Sequence, residues 1–580
     1  MSIRRIGNLG AALLVGLGAS VAAAAGIDNY SSVTQERLNN PEPENWLQIR
    51  GNYEGWLNSS LDQINTSNVQ SLRPVWSRST GVIEGHQAPP LVNNGVMFVA
   101  TPMNQLLALD PTTGEQFWKW SREVPEDLFQ LHPTSRGPGL YGDRAFFATT
   151  DCFLVAIDAT TGETIWEVAV DDYKSGYYMT LAPLVVQGTV MVGVSGGEYG
   201  IRGYVAAYDA ETGNEMWRTY TVPAPGEPGS ETWPSDSDAW KTGGGSAWNT
   251  GIYDEDTDIV YWGIGNGAPW MGDRGRGGMD NLYTTSVIAL NRAEGGIIGH
   301  HQYHWNDSWD WDEVSPPIIR ELDFGGRTFK ALVNVARNGH IFVLEPSPDG
   351  PIKFVDAWNY VYSNVVTAID PTTGRFTYDE THWPGTDKEA QFCPSLWGGK
   401  DWPSVSYSPD TDLLYIPANE NICSTLEGAA EEYVPGDLYI GVPIPVILGG
   451  FSLREGWDHI GEIQAWDITN KTEVWKHKFQ YQNWGPILST GGGLIFAGGT
   501  NDHMFRAFDA KSGSLLWEYP TNSGITAPPS TFMVDGVQYI SVESGWGVDA
   551  ERKQDVFRGI IPGFTQHVPQ GGVVWTFALP

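Results

Sequence analysis

The sequence predicts an all-β chain arranged as an eight-bladed β-propeller, a ring of radially stacked hairpin units. Three observations carry that expectation. The 580 residues include 69 Gly, 37 Pro, 26 Trp and 24 Tyr, a mixture suited to short strands, turns and aromatic packing. One template recurs along the chain. Both ends of the presumptive domain read as strands that could share a sheet.

The template appears as LLALDPTTGEQFW, LVAIDATTGETIW, VAAYDAETGNEMW, IQAWDITNKTEVW and FRAFDAKSGSLLW. In each, a strand ends at an Asp and a Trp falls eight residues later: Asp110 with Trp118, Asp158 with Trp166, Asp209 with Trp217, Asp467 with Trp475, and Asp509 with Trp517. The Asp can accept backbone N–H groups inside the turn, and a Thr-Gly or Ser-Gly pair tolerates positive φ. The Trp then opens the next antiparallel strand and covers the neighbouring unit. Weaker copies lie around Asn291 and Glu345.

Hairpin units of this size cannot bury both faces alone, and radial stacking solves that problem. The segment RPVWSRSTG near residue 73 reads as the inner part of a unit, and VVWTFALP at the end as a strand. Their pairing would latch the ring. With the irregular stretch WPSVSYSPDTDLLYIPA, the count reaches about eight units in one domain over residues 26–580.

Ahead of it, Arg4 and Arg5 precede the apolar run LGAALLVGLGASVAAAA, which ends in small residues near Ala25. This is the pattern of a cleavable secretory signal over residues 1–25, with a twin-arginine route as the alternative; the run is short and alanine-rich for a membrane span. A periplasmic protein without a membrane span is expected. The formal charge of −35 argues against nucleic acid and leaves two readings, a solvated acidic surface or the steering of a basic partner. Cys393 and Cys423 lie at strand edges, and an oxidising compartment permits them to pair; Cys152 reads as a buried small hydrophobe. The absence of C-x-x-C-H excludes a covalently attached haem.

Function must come from what departs from the repeat. Four insertions are rich in polar and aromatic residues: SGGEYGIRG (195–203), TGGGSAWNTG (242–251), GIGNGAPW (263–270) and NDSWDWDE (306–313). If they meet at one end of the axis, Glu198, Asn266, Asp310 and Asp312 supply three carboxylates and an amide carbonyl, hard ligands for Ca²⁺ or a more highly charged hard ion. Taken singly, each could equally be a turn former or a solvated acid. Trp309 and Trp311 would orient the acid between them, one in the core and one lining a substrate cavity, unless both are simply core. A long irregular segment, 424–461, would cap the pocket mouth.

The strings SGGEYGIRGYVAAYDAETG, GGGSAW, GIGNGAPW, WDWD, ARNGHIFVLE and CPSLWGGKDW resemble the quinoprotein alcohol dehydrogenase family, in order over nearly the whole chain. The resemblance implies an eight-bladed propeller binding pyrroloquinoline quinone (PQQ) and a metal ion, oxidation of a hydroxyl to a carbonyl, and a c-type cytochrome as electron acceptor. It implies Glu198 and Asn266 as metal ligands, Asp310 as catalytic base beside the quinone, and Trp248 as the floor under the cofactor. Arg136, Thr180, Ser195, Gly196, Gly197 and Ser246 match positions that bind PQQ, Arg337 the basic residue near the reactive carbonyl, and Trp484 and Trp546 the cofactor rim. Cys393–Cys423 matches a disulfide of relatives. Asp312 resembles the lanthanide type, since a trivalent ion needs one more negative ligand than Ca²⁺; Ca²⁺ is the alternative.

The chain departs from the family where adjacent cysteines are replaced by Gln130 and Leu131, an acid by Gln87, and a rim Asn by Asp401. Short alcohols, polyols, sugars and bulkier secondary alcohols all stay open as substrates, and the oligomeric state is not legible. A non-catalytic propeller scaffold, which would not need Glu198, Asn266, Asp310 and Trp248 together, and a metal-dependent hydrolase, which would act with metal but without quinone, are the competing classes.

Overall fold

The computed structural model describes residue 27 and residues 30–580, so the expected signal segment lies outside the described residues. Its main sheets number eight, seven of four strands and one of five. They occupy residues 91–121, 139–169, 184–220, 252–302, 318–359, 406–479, 487–520 together with Asn58–Ser59, and 530–578 together with Arg73–Ser79.

Local chemistry builds each unit. Asp110 Oδ1 accepts the backbone N–H groups of Thr112 and Thr113 over 2.7 and 3.0 Å, and Asp158, Asp209 and Asp509 repeat the arrangement. The docking tryptophans then join one sheet to the next. The indole N–H of Trp76 donates to the Pro111 carbonyl, Trp118 to Ala159, Trp166 to Ala210, Trp217 to Arg292, Trp475 to Ala510, and Trp517 to Leu72. Where the fourth sheet meets the fifth, Ile298 packs on Gly350 instead. Glycine is required under these rings: at Gly162, with φ +75°, a Cβ would lie 2.7 Å from the Trp118 ring.

The ends meet as expected. Arg73–Ser79 pairs antiparallel with Val573–Ala578, from Arg73 opposite Ala578 to Ser79 opposite Val573. The placement within the unit differs from the sequence reading, however. Arg73–Ser79 alternates exposed and half-buried residues at the outer edge of its sheet, whereas an inner strand such as Val96–Thr101 is buried throughout. Inner strands buried on both faces read as continuous apolar runs, and this segment, RPVWSRS, is half polar.

The DPTTG turn is not confined to the main sheets. It recurs at Asp370 in the small hairpin Val366–Ile369 with Phe376–Tyr378, without a docking Trp. A three-stranded sheet of Ala390–Phe392, Ile422–Leu426 and Phe451–Leu453 carries the Cys393–Cys423 disulfide, Cα atoms 4.4 Å apart. Cys152 is free and fully buried. Among the described residues no helix is long and apolar enough to cross a membrane.

Candidate active site

The four polar insertions do converge. Their backbones are knitted together: Gly245 N–H donates to Asn266 O and Gly265 N–H to Ser246 O, both over 2.8 Å, and Gly203 N–H donates to Gly244 O over 2.8 Å. The segment 424–461 joins them through Tyr439 N–H to the Glu198 carbonyl, 2.6 Å. Gly265 tolerates no side chain, because a Cβ there would strike the Asp312 carboxylate.

Together they line a cavity of about 430 Å³, within the range of small-molecule sites. Of the residues singled out in the sequence, Arg136, Thr180, Ser195, Gly196, Glu198, Trp248, Asp310, Asp312, Arg337, Asp401 and Trp484 line it. Gly197, Ser246 and Asn266 lie just behind the wall: a Cβ on Gly197 would sit 3.0 Å from Ser246 Oγ and 3.6 Å from Asn266 Oδ1. Gln87 and Trp546 stand further back, packed with Gly85 and Gly524, and both are buried. The Gln87 Oε1 and the Trp484 and Trp546 indole nitrogens have no hydrogen-bond partner among the described residues.

Asp310 sits at the centre with φ +64°, a conformation rare outside glycine. Asp307, fully buried, holds it there. Its carboxylate accepts the N–H groups of Trp309, Asp310 and Trp311 and is itself paired with His304 Nε2 at 3.0 Å. The two indoles stack on each other, centroids 5.0 Å apart, and donate to the His382 and Ser395 carbonyls. Both are fully buried, so neither lines the cavity, contrary to expectation. They anchor the loop from behind.

The Asp310 carboxylate accepts Asn266 Nδ2–H over 2.8 Å, and its backbone carbonyl accepts Arg337 Nη1–H over 2.6 Å. Arg337 also forms a close ion pair with Asp401, and its backbone N–H donates to Glu313 over 3.0 Å. Asp401, paired with it, thus opposes the charge of the guanidinium. Burial pushes the Asp310 carboxyl well above the ordinary range; Arg337 opposes this, and Asp312 and Glu198 add to it. Asp312 is pushed up to about 6, chiefly by burial. It accepts the Trp248 indole N–H over 2.8 Å and the Asn266 backbone N–H over 2.6 Å.

On the other side, Arg136 donates to Thr180 Oγ1 over 2.6 Å and lies 4.7 Å from the Trp248 ring centroid and 5.1 Å from that of Trp402. An open indole face with a guanidinium and two hydroxyls beside it suits a planar polycarboxylate. Three mutually repelling acids suit a hard cation, although among the described residues no three of them close into a finished cage.

Sequence reasoning missed Trp402, Asp307, the apolar cap side chains and the helix Gly547–Ile560, whose Arg552 and Lys553 also line the cavity. Trp402 and Asp307 lay in quoted strings; the helix belongs to no template.

Comparison with known proteins agrees with this geometry. The PQQ family described as glucose/ethanol/alcohol dehydrogenase, beta-propeller domain, matches residues 46–356 and 456–540. Quinoprotein alcohol dehydrogenase PedH of Pseudomonas putida is 35% identical over 98% of this chain and 96% of its own. Quinoprotein ethanol dehydrogenase of Pseudomonas aeruginosa is 32% identical over 90% and 88%. Among solved structures, a europium-containing methanol dehydrogenase superposes with a TM-score of 0.86 at 31% identity, covering 94% of this chain and 100% of that one.

Proposed function

This chain belongs to the PQQ-dependent alcohol dehydrogenases, oxidoreductases acting on CH–OH groups, and from that premise we propose how its own residues carry out the reaction. PQQ, when bound, supplies the two-electron acceptor for hydride. Asp310 takes the proton of the substrate hydroxyl, and Arg337 stabilises negative charge developing nearby. Trp248 supports the cofactor plane, and Arg136, Thr180 and Ser195 hold its carboxylates and carbonyls. Glu198, Asn266, Asp310 and Asp312 would hold the metal, whose positive charge would favour the ionised form of Asp310.

The observation that carries this reading is the position of Asp310: a carboxylate facing the cavity beside Trp248, its backbone carbonyl gripped by Arg337.

We further propose a lanthanide, on the charge of Asp312. Ca²⁺ keeps a specific argument of its own, because both Asp312 oxygens already accept N–H groups. Export to the periplasm, the cap role of 424–461, and a basic c-type cytochrome steered by the acidic chain complete the proposal.

The test is dye reduction by purified protein given PQQ with Ca²⁺ or with La³⁺ over an alcohol panel. Turnover that requires both PQQ and one of the metals is expected. Turnover with metal and no quinone would overturn the reading.

A further inference from the structure

Resting on that reading of the Asp310 site, we propose that the cavity selects alcohols whose hydroxyl is carried on an extended apolar body, over polyols and sugars, with Ile444, Ile447 and Leu448 as specificity-determining residues.

The cavity is divided by polarity. Its polar lining is linked through Trp248, whose ring centroid lies 4.7 Å from Arg136 and whose N–H donates to Asp312, and through Arg337, which grips the Asp310 carbonyl and pairs with Asp401. Above it, the cap contributes Leu438, Ile440, Ile444, Ile447, Leu448 and Phe451. Trp397 backs this wall, its ring centroid 4.2 Å from that of Phe451. Among the described residues no Asn or Gln lines the cavity. A polyol reaching along this apolar wall would surrender water around several hydroxyls and find few partners there, at a cost for each.

The cations of the facing helix do not offset this. Lys553 Nζ lies 3.3 Å from the Trp484 ring centroid, and Arg552 reaches the Leu131 carbonyl at 3.5 Å. Both are drawn onto protein groups at that side of the cavity.

The mouth also leaves large apolar side chains in water: Ile444 is 44%, Leu448 50% and Phe129 62% exposed. Three such residues around one opening, above a hydroxyl-activating carboxylate, are what an apolar substrate tail would cover. The short helix Ile444–Gly449 places Ile444, Ile447 and Leu448 on that opening.

The experiment uses the full chain loaded with PQQ and metal, with ethanol, butanol, hexanol and octanol set against sorbitol and glucose. Each methylene that enters the apolar wall raises kcat/KM by up to about fourfold, so the alkanol series climbs and both polyhydroxy compounds fall below butanol. Ile444→Ser with Leu448→Ser flattens the climb, mainly through KM for octanol. A second readout uses the chain without cofactor: anilinonaphthalene sulfonate fluoresces on binding, and octanol displaces it while sorbitol does not. A flat series, sorbitol or glucose above octanol, or displacement by sorbitol alone overturns the inference while leaving alcohol oxidation intact. If the loaded enzyme oxidises no hydroxyl compound, the underlying reading fails, and the displacement result still decides the polarity of the wall.

Discussion

The indole N–H of Trp248 donates to one oxygen of Asp312 over 2.8 Å, while the other oxygen takes the Asn266 backbone N–H over 2.6 Å. A single buried carboxylate therefore ties the candidate cofactor floor to the candidate metal loop. Asp312→Ala leaves two N–H groups without acceptors, each costing about 1–3 kcal/mol, and removes one negative charge. The expected outcome is a lower unfolding midpoint for the cofactor-free chain and a shift of metal preference from La³⁺ towards Ca²⁺. Dye reduction with each metal checks the second part; an unaltered lanthanide response would remove Asp312 from the ligand set.

Asp310→Asn keeps the shape of the side chain and removes its capacity as a base. Turnover should fall by about 10²–10⁴-fold, the usual contribution of a positioned general base. Cofactor absorbance retained on the variant after gel filtration separates this from loss of binding. Full turnover in the variant would exclude Asp310 from proton transfer.

How far the sequence could be read depended on whether a feature's chemistry was local. The Asp turn closes within three residues, so Asp110 and its copies disclosed both the turn and the repeat. Trp248 and Asp310 were found because their strings stand outside that repeat. The orientation of Asp310 was not legible: it depends on Asp307 binding three successive-turn N–H groups and on two indoles packed against distant carbonyls. Nor was the cavity wall, since the cap mixes Gly and Pro without a period, and the apolar residues that matter are selected only by its fold. Asp401 looked like a departure from the family; its ion pair with Arg337 gives that departure a physical reason.

That ion pair yields the next prediction. Arg337 and Asp401 side chains are each only 9% exposed, so Asp401→Ala deprives a buried guanidinium of its paired counter-charge, leaving only Asp310 and Asp312 nearby. A loss of about 3–5 kcal/mol is expected, visible as a lower denaturant midpoint. Asp401→Asn, which retains an acceptor oxygen, should recover part of it. Equal stability of all three proteins would mean that Arg337 is compensated elsewhere.

The ring itself can be tested at a single joint. Trp118 is 5% exposed, lies over Gly162, and donates its indole N–H to Ala159 of the following sheet over 3.1 Å. Trp118→Ala opens a large cavity and strands that carbonyl, for about 3–5 kcal/mol. Gly162→Val attacks the same contact from the other side, forcing a branched side chain into φ +75° and into the ring. Because both changes break one contact, the double variant should cost clearly less than the sum of the two single losses. Strict additivity in thermal or chemical unfolding would show that the dock is not the element joining these sheets.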